Sequence, residues 1–201
     1  MSLKRFSIAI VTLLLLFGCN NENNSKKDVN QTNSSKEHDS NTSKQKIEHN
    51  SRTFTIETIS KETLHIKDLP NGFKFEEFKD KAILVVFFGY KCPPCLREIP
   101  RLNELIESHR DNLEIIAFEV QGLDDSELAN FVKERDIKYK VVRGLGYMDF
   151  ISYVQNRAQW QGAIPFLIAL NRDGEVEFVQ VGGLFKKELE YIYKEITGDK
   201  K

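Results

Sequence analysis

The sequence predicts an α/β domain, a central mixed β-sheet with helices on both faces, on three observations. Beyond residue 52, apolar runs of strand length alternate with stretches whose apolar residues recur every three or four positions. The run at 113–120 is apolar apart from Glu114 and Glu119, as expected of a strand covered on both faces. Near the C-terminus, Asn171-Arg172-Asp173-Gly174 separates two strand-like runs, a hairpin signal that adds an antiparallel pair. About 150 residues lie beyond the N-terminal region, which suits one domain with a real core.

Residues 1–18 read as a targeting segment. Lys4 and Arg5 supply a positive start, and the apolar run at 6–17 is too short to span a bilayer but suits the core of a signal peptide. Leu16-Phe17-Gly18-Cys19 resembles the bacterial lipobox, where cleavage precedes the cysteine and its thiol carries the lipid; Phe17 is bulkier than the usual residue there. A signal peptide cut elsewhere and a short anchor are the alternatives, and each exports the remainder. Residues 19–51 are then a lipidated tether, rich in Asn, Ser, Lys, Thr, Glu and Gln and without an aromatic. Such a stretch buries too little apolar surface to offset its ordering entropy. Its mean reach as a flexible chain is on the order of 30 Å, which lifts a domain clear of the headgroups. Asn33-Ser34-Ser35 matches a glycosylation acceptor only on paper. The folded domain is expected over residues 52–199.

Within it, 53–59 and 63–66 alternate apolar and polar residues around Ser60-Lys61-Glu62, the pattern of an N-terminal β-hairpin extension. Asn71-Gly72 marks a turn, and Phe73, Phe75 and Phe78 lead up to a strand at 82–88. A helical stretch opens at Cys92-Pro93-Pro94-Cys95 and carries Ile99, Leu102, Leu105 and Ile106 on one face. Pro93 and Pro94 suit a first turn, which lacks partners for its N–H groups anyway, whereas Pro100 is expected to kink the helix rather than end it. Glu119 reads as a strand-end residue reaching solvent, with a proton-handling acid as the alternative. Asp124 or Asp125 caps a helix that turns Leu128, Phe131 and Val132 inward. A short strand at 139–142 and a helix over 147–160 follow, and Trp160, the single tryptophan, is expected to pack in the core. Ala163-Ile164-Pro165-Phe166 precedes a strand at 167–170; the return strand at 175–181, a Gly182-Gly183 turn and a helix over 184–196 close the domain.

The chemistry concentrates at Cys92-x-x-Cys95, directly after a strand ending at Gly89 and at the start of a helix. Thiolate, the reactive form of cysteine, is favoured there by the unpaired N–H groups and the positive end of the helix dipole. Lys91 adds a positive charge beside Cys92. The spacing lets Cys95 reach Cys92 and close a disulfide in a very short ring, so Cys92 reads as the exposed attacker and Cys95 as the shielded resolver. A zinc site competes with this redox reading, but it needs two further ligands at suitable spacing, and His38, His49, His65 and His109 are scattered singly. A plain structural disulfide also competes, though so short a loop constrains the unfolded chain little. Among the three cysteines of an exported chain, one is thus the lipidation candidate and two form the pair, with no structural disulfide implied.

The run Phe87-Phe88-Gly89-Tyr90-Lys91-Cys92-Pro93-Pro94-Cys95, with Glu98, Pro100 and Ile164-Pro165, resembles the thioredoxin superfamily in its extracytoplasmic TlpA/ResA-like branch, over roughly residues 53–197. The resemblance implies a thioredoxin fold and a cis peptide at Pro165 facing the cysteines, with the Ile164 backbone free to pair with an extended substrate segment. It also implies a proton-handling role for Glu98. Val86 stands where thioredoxin has a buried aspartate, and Lys91 where the family usually has a tryptophan.

What the resemblance implies for function is a membrane-anchored thiol–disulfide oxidoreductase that reduces disulfides of exported proteins, such as apocytochrome c. Its electrons would come from a membrane thiol transporter, and it would need no metal and no cofactor beyond the Cys92–Cys95 disulfide. An oxidase or isomerase of exported proteins is the nearest alternative. A copper chaperone on the same fold is another, since two thiolates can hold Cu(I), but such proteins typically space their cysteines by three residues. A net charge of −1 gives no argument for nucleic acid.

Overall fold

The computed structural model describes residues 51–198. The expected targeting segment, the lipidation candidate Cys19 and the expected tether up to residue 50 lie outside the described residues. A five-stranded sheet is built from β4 (Ala82–Phe88), β5 (Leu113–Glu119), β6 (Lys140–Arg143), β7 (Phe166–Leu170) and β8 (Val176–Val181), in the order β6-β5-β4-β7-β8. β4, β5 and β6 run parallel, β7 is antiparallel to β4, and β8 is antiparallel to β7, so the sheet is mixed as predicted.

β4 is the central strand, buried throughout. Because successive side chains leave a strand on opposite sides, Leu84, Val86 and Phe88 face one layer and Ile83, Val85 and Phe87 the other. The first layer holds α1 (Pro93–His109), α2 (Asp125–Glu134) and α4 (Lys186–Thr197), through Ile99, Leu102, Leu128, Phe131, Leu189 and Ile192. The second holds α3 (Met148–Ala158), through Phe150, Ile151 and Val154, and the N-terminal strands β1 (Thr53–Glu57), β2 (Thr63–Leu69) and β3 (Gly72–Phe75).

Those three strands form a separate antiparallel sheet rather than a hairpin alone. Phe73 and Phe75, read in the sequence as a lead into β4, belong to its third strand and pack edge to face. The turn glycine Gly72 also bridges to Glu175, and a Cβ placed on it would lie 2.2 Å from the Gly174 carbonyl oxygen. This close approach ties the small sheet to the β7–β8 hairpin.

Helix boundaries follow local chemistry. Asp124 caps α2 by accepting the Glu127 N–H, while Glu127 returns to the Asp124 N–H, a reciprocal box that decides between the two candidate aspartates. α1 runs through Pro100 unbroken. Among the described residues, no helix is long and apolar enough to cross a membrane.

Candidate active site

The C-terminal end of β4 delivers the chain to the cysteines. Cys92 is the N-cap of α1, with an extended backbone (φ −106°, ψ 101°), and its sulfur accepts the Cys95 N–H at 3.3 Å. Pro93 and Pro94 occupy the first helical positions, where no N–H is missed. Sγ of Cys92 and Sγ of Cys95 are joined at 2.07 Å. Cys92 is 6% exposed and Cys95 2%. Both are buried, so Cys92 is not the exposed attacker expected from the sequence, although it is the less covered of the two.

Two other segments meet the helix start. The Ile164–Pro165 peptide is cis, and the Ile164 carbonyl oxygen lies 3.9 Å from the Cys92 sulfur. Trp160 packs in the core as expected, stacked on Phe166 at 4.8 Å and 6°, and its indole N–H donates to the Ala163 carbonyl, which anchors the loop. The third segment is the turn after β8. Gly182 donates its N–H to the Pro165 carbonyl, and Gly183 comes so close that a Cβ there would sit 3.8 Å from both the Pro94 Cβ and the Pro165 Cγ.

Glu98, one turn into α1 from Cys95, is 2% exposed, which overturns the solvated-charge alternative. Its carboxylate accepts the Leu184 N–H at 2.8 Å, and Arg101 donates to the Leu184 carbonyl at 2.8 Å, so α1 holds the backbone on both sides of the Leu184 Cα. Burial pushes the Glu98 carboxyl above its ordinary range, against the opposing pull of the Leu184 N–H and Arg101. Tyr139, buried directly before β6, has its hydroxyl pushed up by burial and then by the charge of Glu98. Val86 lies in the same layer, apolar and buried. Lys91 is exposed, with its ammonium over the Tyr90 ring at 4.8 Å.

Glu119 departs from expectation. It is fully buried, and its carboxylate accepts the N–H groups of Gln121, Gly122 and Leu123 at 2.8, 3.0 and 3.1 Å. Gln121, which the sequence did not mark, accepts the Lys91 N–H at 2.8 Å. The structure thus brings Cys92, Pro93, Pro94, Cys95, Ile164 and Pro165 together, leaves the carboxylate of Glu98 beneath them at Leu184, and turns Lys91 toward Tyr90. Cys19 lies outside the described residues, among which no group of three or more His, Cys, Asp or Glu is arranged to hold a metal ion.

A mixed sheet whose central strand feeds a Cys-x-x-Cys at a helix N-terminus, opposite a cis-proline, defines a dithiol–disulfide protein of the thioredoxin fold. Known structures agree on the fold. A thiol:disulfide interchange protein of the thioredoxin family from Chlorobium tepidum is 22% identical at a TM-score of 0.57, over 72% of this chain and 92% of that one. A secreted disulfide oxidoreductase of Mycobacterium tuberculosis is 18% identical at 0.52, over 71% and 95%. A thiol-disulfide oxidoreductase ResA from Bacillus thuringiensis subsp. konkukian is 34% identical over 147 residues, 65% of this chain and 78% of that protein. The AhpC/TSA family model matches residues 47–179, and the chain belongs to that family as a thiol–disulfide oxidoreductase of the ResA type.

Proposed function

We propose that this oxidoreductase works as a reductant of exported proteins, held on the outer side of a bacterial membrane by a lipid on Cys19. The observation that carries the reading is the placement of Cys92 as the N-cap of α1, its sulfur receiving the Cys95 N–H while Cys95 lies deeper. In the dithiol state, Cys92 thiolate attacks one sulfur of a substrate disulfide; the other sulfur leaves as thiolate and a mixed disulfide forms. Cys95, losing its proton to Glu98, attacks Cys92 and expels the second substrate thiolate. Two electrons pass to the substrate, and the protein is left with the Cys92–Cys95 disulfide. A membrane thiol transporter returns those electrons. The Ile164 backbone aligns an extended substrate segment beside the sulfurs, where the cis-proline offers neither an N–H nor a side-chain donor. Apocytochrome c is the substrate class that the resemblance to the TlpA/ResA-like branch implies, its cysteines being taken as a disulfide that this protein reduces. A secreted structural neighbour is in keeping with export, and the signal at residues 1–18 supplies the route.

Reduction of insulin by the two single cysteine variants tests the assignment. Cys92→Ser abolishes turnover, whereas Cys95→Ser accumulates a mixed disulfide recoverable on a non-reducing gel; full activity in Cys92→Ser would refute the mechanism.

A further inference from the structure

The loop after β5 touches the active-site turn, and its contacts form a continuous chain of partners. Glu119, with no exposure to solvent, gathers the N–H groups of Gln121, Gly122 and Leu123 on one carboxylate. That fixes the backbone from which the Gln121 side chain projects. Its Oε1 accepts the Lys91 N–H at 2.8 Å, and the same side chain lies over Gly89, where a Cβ would fall 2.2 Å from Gln121 Cδ and 2.4 Å from Oε1. The Gly89 carbonyl in turn accepts the Cys92 N–H at 3.2 Å. The φ of Gly89 is negative, a conformation open to any residue, so the glycine is required here by the space Gln121 fills rather than by its backbone.

We propose that Gln121 is a positioning residue for the reaction: held by Glu119, it clamps the turn at residues 89–92 and so keeps Cys92 at the N-cap of α1. This rests on the assignment of Cys92 as the attacking sulfur. The clamp acts because a thiolate at an N-cap is stabilised only while its sulfur stays on the first-turn N–H groups, a dependence that falls off within one turn. With the Lys91 N–H released, the turn acquires freedom, and the Cys92 sulfur spends less time on the Cys95 N–H. The thiolate, and with it the dithiol state, loses stability relative to the disulfide. The reduction potential therefore becomes more negative.

The test uses the full chain carrying Cys19→Ser, so that Cys92 and Cys95 are its only thiols. Gln121→Met keeps the length of the side chain and removes the acceptor. Thiolate titration by ultraviolet absorbance and the potential against glutathione are measured on the parent and on each variant. Loss of one such hydrogen bond is expected to cut the Cys92 thiolate population below its midpoint about threefold to tenfold, with the potential moving negative. Gly89→Ala, which displaces the same side chain, produces a shift in the same direction. In a Gln121→Ala background, which lacks the three atoms nearest to the added methyl, Gly89→Ala adds nothing further. An unmoved titration and potential in Gln121→Met, or a full additional effect of Gly89→Ala on Gln121→Ala, overturns the clamp. Should Cys92→Ser remain active, the role of Cys92 and the clamp built on it both fall; an inactive Cys92→Ser beside an unmoved Gln121→Met removes the clamp alone.

Discussion

Glu98 shows what burial does to one ionisable side chain. Its carboxyl titrates above the ordinary value of 4.5 because desolvation outweighs the Leu184 N–H and Arg101. An acid whose folded pKa is raised binds more protons in the native state than in the unfolded chain over the interval between the two values. Stability therefore falls as pH rises from 4.5 toward the raised value, and below 4.5 the group makes no difference. Glu98→Gln should remove this component of the slope, leaving a flatter dependence of urea midpoint on pH from 4.5 upward; an unchanged slope would show that Glu98 is not its source. The same variant should slow the resolving step if Glu98 takes the Cys95 proton. Burial of this residue was not legible from its place in the helix, since the Glu98 position is also that of any surface charge. What decides it is Leu184, 86 residues away, whose N–H needs an acceptor there.

At the scale of elements, the end of β5 is where expectation and structure diverge most. A glutamate closing an apolar strand suggested a side chain escaping to water. Instead the loop curls back and supplies three N–H donors, which satisfies the charge without exposing it. Glu119→Ala should leave those donors without their acceptor and cost about 2 to 4 kcal/mol, read as a lower urea midpoint at an unchanged m-value. A loss of a few tenths would mean that water replaces the carboxylate. The N-terminal sheet teaches a related point. Residues 53–66 announce a hairpin through their alternation, but β3 spans only four residues and starts on a turn glycine, too short for a period to register. It becomes a strand because Phe73 and Phe75 have a buried aromatic cluster with Phe150 to join.

Taken whole, the described residues 51–198 pack two apolar layers against one sheet. A protein cut to residues 52–199 should therefore fold by itself and retain thiol exchange in solution. Its reduction potential is expected nearer the reductant end of the fold's range, about −270 mV, than the oxidant end, about −120 mV. A value near the oxidant end would mean that the protein forms disulfides in its substrates. Glutathione equilibration of the purified domain makes the measurement. The site itself is assembled at this scale, since α1, the loop at 163–165 and the turn at 182–184 come from three separate parts of the chain.

The sequence by itself determined what rests on short-range rules: the strand-to-helix junction carrying Cys92 and Cys95, a helix start at Asp124 or Asp125, the hairpin turn at 171–174 and the order of helices and strands from residue 82 onward. These follow from backbone sterics, side-chain periodicity and the needs of helix ends, all acting within a few residues. Only the tertiary structure decided that Leu184 covers Glu98, that Glu119 is enclosed by its own loop, and that Gln121 holds Lys91. Those contacts depend on strand order and register, which are set when both faces of β4 are packed at once, and no local stretch carries that information.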